Sequence, residues 1–311
     1  MPVQAITVQR IKARTEASGA KLWAHPTWKG IGSGPLMGFD FAHAPFYPRQ
    51  GTPVQGDLLV DIARKSNGVF QIPTAQANTP RFVGGGIEWS GLASTAQGTV
   101  GVETGSGAAL DIATGGNQYF LLCLYVRLPD TTAWPLVNGS ITPWIDFSTP
   151  GISSTYQNSP SLIAIGPWPN ASNRRVAFIR QTTAAGAAVT SYVLLPTYPA
   201  GEFAQIAYYR TASGATVHVR TASTGILGGT DVVGAENALD LTNVVAKIGP
   251  RSAFSNLATS SIKTLYAGMR QYTIFIENLR LTGRDPAAVL DADWNFMQQR
   301  IAAGDINPAA A

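Results

Sequence analysis

Charge is scarce in this sequence. Asp, Glu, Lys and Arg make up only 13% of its 311 residues, about half the usual globular share. Cysteine is nearly missing. The lone Cys123 excludes an internal disulfide, so no disulfide framework is expected to hold the fold. Within the apolar run Tyr119–Val126 it reads as a small hydrophobe in a buried strand, inert because it is desolvated. No apolar run reaches the roughly 20 residues that span a bilayer, so no membrane partner is expected. The stretch Met1–Thr7 has no charged segment leading into an apolar core, so no secretory signal is expected either.

The usual signatures of chemistry are also missing. The three histidines, His25, His43 and His218, form no H-x-x-x-H pair, and no C-x-x-C or calcium-type acidic cluster appears. No metal and no cofactor are therefore expected. There is no Gly-x-Ser-x-Gly elbow. Gly84-Gly85-Gly86 leads into neither a helix nor a lysine, so it is a turn rather than a phosphate loop. The 18 carboxylates are scattered, with no close pair outside the C-terminal helix. A glycosidase needs two carboxyls roughly 5–10 Å apart. Only folding could assemble such a pair, for example from Glu88, Glu103 or Asp146, and the chain is expected not to be an enzyme.

What is present is unevenly placed. Residues 1–30 carry Arg10, Lys12, Arg14, Lys21 and Lys29 against Glu16 alone, so the net charge of +4 resides there; the other 17 basic and 17 acidic side chains cancel. The same region holds Trp23 and Trp28, and Gly30–Pro35 is a flexible break. Residues 1–54 are expected to form a basic, aromatic docking arm whose residues Arg10, Lys12, Arg14, Trp23 and Trp28 meet another surface. The balanced remainder makes nucleic acid an unlikely partner.

From residue 55 onward, short apolar runs alternate with turn clusters, the pattern of an all-β sandwich or barrel. Arg175–Arg180 and Val189–Leu195 bracket small residues as a hairpin, and Ala204–Arg210 with Ala215–Thr221 form a second. In the latter, Val217 and Val219 alternate with Thr216, His218 and Arg220, which predicts one buried and one wet face. Tyr272, Ile274 and Ile276 share parity, whereas Leu279 and Leu281 have the other. This predicts either a β-bulge near Glu277-Asn278 or a strand covered on both faces. One convincing helix is predicted over 286–303: Asp285 as N-cap, Pro286 at the first position, Leu290, Trp294, Met297 and Ile301 on one face, and Gly304 as C-cap.

The order of these pieces resembles the concanavalin A-like, laminin-G-like jelly roll. Gly56–Ala63 with Asn67-Gly68, Gly86–Gly91, Leu110–Ile112 leading into Tyr119–Leu128, and Glu202–Arg210 with Ala215–Arg220 are similar to its core strands. Lys247–Gly249 and Gly268–Gly283 resemble its closing strands, and the helix stands where the family has a short terminal one. The resemblance covers roughly residues 55–305. It implies a two-sheet antiparallel jelly-roll sandwich over 55–311. Tryptophans usual in the family are replaced by Leu124 or Tyr125 and by Phe203, and the Glu-x-Asp-x-x-Glu strand of its hydrolase branch is missing.

Aromatics with polar neighbours are the candidates for glycan binding: Trp134, Trp144 with Asp146, and Trp168 with Asn170 and Arg174. An aromatic face suits the C–H surface of a sugar ring, while Asp, Asn and Arg suit its hydroxyls. The alternative for these tryptophans is a place in the core or a subunit interface. Domains of this resemblance occur in bacteriophage tail fibres, tail tips and head-decoration proteins. With the arm, the expectation is a virion protein fastened through residues 1–54 to other virion proteins. Its sandwich would bind a host-surface polysaccharide or its own copies in a homo-oligomer, a trimer by preference. A free lectin and a glycoside hydrolase or lyase of the same fold are the rivals.

Overall fold

The computed structural model describes residues 36–62, 66–72, 80–89, 100–107, 112, 117–139, 141–150, 160–182, 188–231, 235–251 and 266–310. The arm residues Arg10, Lys12, Arg14, Trp23 and Trp28 lie outside them. Two antiparallel sheets face one another. Sheet A runs in the order β14 (Gly225–Asp231), β13 (Gly214–Thr221), β12 (Phe203–Thr211), β7 (Phe120–Arg127), β16 (Arg270–Asn278), β5 (Gly86–Glu88) and β4 (Arg81–Val83). Where β5 leaves β16 after Gln271, β1 (Leu36–Asp40) takes over alongside Thr273–Glu277. Sheet B runs β11 (Ala188–Leu194), β10 (Arg175–Gln181), β9 (Ser161–Pro167), β8 (Ile145–Ser148), β15 (Val245–Ile248), β6 (Gly101–Thr104), β3 (Gly68–Gln71) and β2 (Leu58–Leu59). The chain is a two-sheet β-sandwich, and both predicted hairpins, β10–β11 and β12–β13, form.

The core between the sheets follows from period-2 alternation. Leu122, Leu124 and Val126 of β7, Ile206 and Tyr208 of β12, and Val217 and Val219 of β13 point inward from sheet A; Ile145, Phe147, Ile163, Ile165, Val176 and Phe178 meet them from sheet B. Met37, Phe39 and Phe41 alternate in the same way and are buried there with Tyr47. The sandwich therefore begins by residue 36 and not at 55. The first strand was hidden because Gly38 and Asp40 interrupt its apolar residues.

Much of the opposite face of sheet A is covered rather than wet. α1 (Leu279–Thr282) follows β16, and α2 (Pro286–Ala303) lies across the sheet. The ends of α2 are those predicted. Asp285 accepts from Ala287 N, Pro286 occupies the first position, and Gly304 closes the helix in the left-handed region. Val289, Leu290, Trp294 and Met297 bury against Leu121, Cys123, Tyr125, Phe203 and Phe275. Truncating Trp294 would cost about 3–5 kcal/mol. Arg300 anchors the far end with two hydrogen bonds to the buried Asp40, at 2.7 and 3.3 Å.

This covering explains two departures from the sequence reading. β16 is buried on both faces, as one of the two predicted alternatives held. Its register shift lies between Gln271 and Thr273, not near Asn278. Tyr272 therefore packs under α2, whereas Ile274 and Ile276 face the inner core. The parity change at Leu279 marks the start of α1, capped by Asn278, which accepts from Arg280 N and Leu281 N. In β13, His218 is 7% exposed because α2 lies over it. Its Nε2 is 3.0 Å from Gln205 Oε1. Gln205 donates in turn to the Tyr125 hydroxyl (2.6 Å) and to Leu290 O (2.9 Å). Because the Gln205 amide nitrogen is the donor in both, its oxygen accepts and His218 carries its proton on Nε2. Tyr125 donates onward to Asp293. Among the described residues, no helix is long and apolar enough to cross a membrane.

Candidate functional site

The outward face of sheet B carries the side chains that alternate with the core residues. The pairing aligns Val69 of β3, Glu103 of β6, Lys247 of β15, Asp146 of β8, Ala164 of β9 and Ile179 of β10 in one row across the sheet. Three neighbouring strands thus place a carboxylate, an ammonium and a carboxylate side by side. Adjacent strands lie about 4.8 Å apart, so the backbones bearing Glu103 and Asp146 are about 10 Å apart with Lys247 between them. Arg251 extends the row, its Nε 2.5 Å from Glu103 Oε2. Ser148 donates its hydroxyl to Asp146 Oδ2 at 2.7 Å.

Asp146 and Lys247 are fully buried, while the Glu103 and Arg251 side chains keep about 15% exposure (15% and 14%). Burial pushes the Lys247 ammonium below its ordinary value; Asp146 and Glu103 oppose this and Arg251 adds to it. Titratable groups perturbed by burial and specific charge partners are enriched at functional sites.

Further along the same face, beyond Ala164 and Ile179, lies an aromatic patch. Trp168 packs on a small apolar floor of Ile141, Ala164, Ala177 and Ile179. The Trp168 and Tyr192 rings meet edge-on at 5.6 Å. The Arg175 guanidinium sits 4.1 Å from the Tyr192 ring centre and 5.8 Å from that of Trp168. Tyr192 and Leu194, on the edge strand β11, are exposed. A part-exposed aromatic pair with a stacked cation is a surface that can receive a sugar ring.

Of the candidates read from sequence, the structure brings Trp168 and Asp146 onto this one face. Asn170 lies in the loop after Trp168, where its side chain accepts from Ser172 N. Arg174 turns away: it donates to Trp134 O at 2.7 Å and stacks over Tyr198 at 5.0 Å. Trp134 and Trp144 are fully buried in the core and meet each other edge-on at 6.2 Å. The expectation that these two rings face a ligand is therefore corrected; they are core, the alternative the sequence left open. Glu88 lies in sheet A, paired to Arg270 at 2.8 Å and Arg81 at 2.6 Å. Lys247, Arg251, Arg175 and Tyr192 were missed. For Lys247, Arg175 and Tyr192 the only signal in the sequence was a charged or polar residue in an apolar strand, and Arg251, past the end of β15, gave none.

No protein-family model and no curated protein matches the chain. Solved structures do. A sialidase from Trypanosoma rangeli, in complex with sialic acid, is similar at 13% identity over 93% of this chain and 38% of the sialidase, with a TM-score of 0.48. The chain thus spans well under half of that enzyme's length. A carbohydrate esterase from Shiga toxin-encoding bacteriophage phi24B is similar at 10% identity, covering 78% of this chain and 97% of the esterase (TM-score 0.35). The CBM2 module of the evolved Dit of Lactobacillus casei BL23 phage J-1 is similar at 13% identity, covering 82% and 94% (TM-score 0.34). At these identities the likeness is one of fold.

The expectation that the chain is not an enzyme is corrected. Carbohydrate-active enzymes recur among the similar structures, an alginate lyase from Klebsiella pneumoniae included. Of the three carboxylates that the sequence left open to assembly by folding, the sheet aligns two, Glu103 and Asp146, on either side of Lys247.

Proposed function

We propose that this chain is a bacteriophage virion protein of the concanavalin A-like, lectin-like jelly-roll type that binds a host-surface polysaccharide along the outer face of sheet B and acts on it there. One observation carries the reading: the Trp168–Tyr192–Arg175 patch and the Glu103–Lys247–Asp146 row share a face in continuous register. The patch seats a sugar ring. Glu103, at the part-exposed end of the row between two cations, is the group that meets the ligand. A carboxylate so placed can accept a proton or stabilise developing positive charge, with Asp146 as the second carboxylate. Lys247 and Arg251 position Glu103. The basic arm, with Arg10, Lys12, Arg14, Trp23 and Trp28, fastens the chain to other virion proteins. Copies associate as a closed homo-oligomer, a trimer by preference. Two of the similar structures described above come from phages, which fits this setting without carrying it.

The test is to incubate the purified chain with host capsule and lipopolysaccharide preparations and follow oligosaccharide release by mass spectrometry. Release should fall at least about 100-fold in Glu103→Gln. It should shift its pH profile in Asp146→Asn and lose apparent affinity in Arg175→Ala. Undiminished release in both carboxylate variants, or neither binding nor release on any host glycan, would overturn the reading.

A further inference from the structure

The outer face of sheet A opens, beside α2, into a cleft of about 830 Å³. That volume lies within the range of small-molecule sites. Phe203, Trp294 and Ile301 supply an apolar floor, and Arg127, Asp130, Glu202 and Gln298 supply polar groups. None of these residues belongs to sheet B.

The polar groups are held in place. Arg127 donates from Nη1 to Gly268 O at 2.7 Å and from Nη2 to Asp130 Oδ1 at 3.0 Å. Gly201 and Gly268 flank its guanidinium, with φ of +72° and +70°. A Cβ on either would stand 3.0 Å from a guanidinium nitrogen. Only glycine meets both the backbone conformation and the close approach. Glu202 accepts from Ser223 N at 3.2 Å, and the Asp130 side chain is 57% exposed.

Asp130 and Glu202 against Arg127 leave one negative charge in the lining. An acidic or phosphorylated sugar would meet that charge. A neutral pyranoside instead offers hydroxyl donors to carboxylates and to Gln298, and a C–H face to the floor. We propose that this cleft is a second saccharide site, selective for a neutral pyranoside and separate from the face of sheet B.

The test uses the full chain and the methyl α-glycosides of glucose, galactose and mannose beside the matching uronates. The readout is the indole N–H signal of Trp294 in NMR, assigned with Trp294→Phe. At least one neutral glycoside should shift it with a Kd of about 1 mM, and the uronates should not. Asp130→Asn and Glu202→Gln should each weaken binding at least about 10-fold, while Glu103→Gln and Arg175→Ala leave it unchanged. If either carboxylate variant melts early, Gln298→Ala replaces it with the same expected loss. The proposal fails if no neutral glycoside shifts the signal, if uronates bind as tightly, or if binding survives the cleft variants. Failure on sheet B with binding retained here would sink only the sheet B reading.

Discussion

Acid should loosen α2 through His218. This side chain lies beneath the helix, at the head of the hydrogen-bond chain that runs through Gln205 and Tyr125 to Asp293. Burial lowers its pKa from 6.5 to about 4; Arg220 lowers it further and Asp291 opposes. The folded protein thus holds fewer protons at this site than the unfolded chain between pH 6.5 and pH 4. Stability from this group is complete above pH 6.5, falls as pH drops through that window, and levels off below about pH 4. At about 1.4 kcal/mol per pH unit, the loss comes to about 3 kcal/mol. His218→Gln keeps an N–H donor toward Gln205 and removes the titration. Urea unfolding at closely spaced pH values, read by tryptophan fluorescence, gives the stability difference between the two proteins. That difference should move by about 3 kcal/mol in favour of the variant from pH 7 to pH 4. A constant difference across that range would refute the argument, because it would mean that His218 titrates alike in the folded and unfolded chains.

Two further outcomes can be checked simply. Asp40→Asn takes from the buried Arg300 guanidinium its two short carboxylate hydrogen bonds, leaving Asp305 at 3.9 Å, and should cost about 3–5 kcal/mol in chemical denaturation; a loss below about 1 kcal/mol would show that the pair is dispensable. Cys123 is fully buried, and burial, with Asp293 adding, raises its thiol well above the ordinary value. It should therefore react with a thiol reagent such as DTNB only after denaturation, and prompt reaction of the native protein would contradict its place under α2.

Legibility in the sequence tracked how local each feature is. α2 was readable to its last residue because Asp285, Pro286 and Gly304 act within one turn of the chain and its apolar face repeats at helical spacing. The two hairpins were readable because each pairs two apolar runs that lie close together in the sequence. β1 was not, since a short stretch broken by Gly38 and Asp40 becomes a strand only by pairing with β16, more than 230 residues away. The outer face of β13 looked solvent-facing because Thr216, His218 and Arg220 are polar; Thr216 and Arg220 do stay part-exposed, but nothing nearby in sequence signals that α2 will bury His218. Trp134 and Trp144 looked like loop aromatics for the same reason.

By itself, the sequence determined an antiparallel β-sandwich, one long capped helix, a buried cysteine and a basic, aromatic N-terminal region. Each depends on local patterning, on composition, or on an alternation that survives whatever the distant chain does. The tertiary structure alone decided which faces are wet and which charges meet. Glu103, Asp146 and Lys247 come from strands beginning at residues 101, 145 and 245, and only sheet register makes them neighbours. The cleft beside α2 likewise gathers residues from five parts of the chain, at 127–130, 200–203, 222–223, 294–301 and 308–309. Carboxylates scattered in a line of text thus become neighbours, because a sheet sets its strands a few ångströms apart however far apart they lie in the sequence.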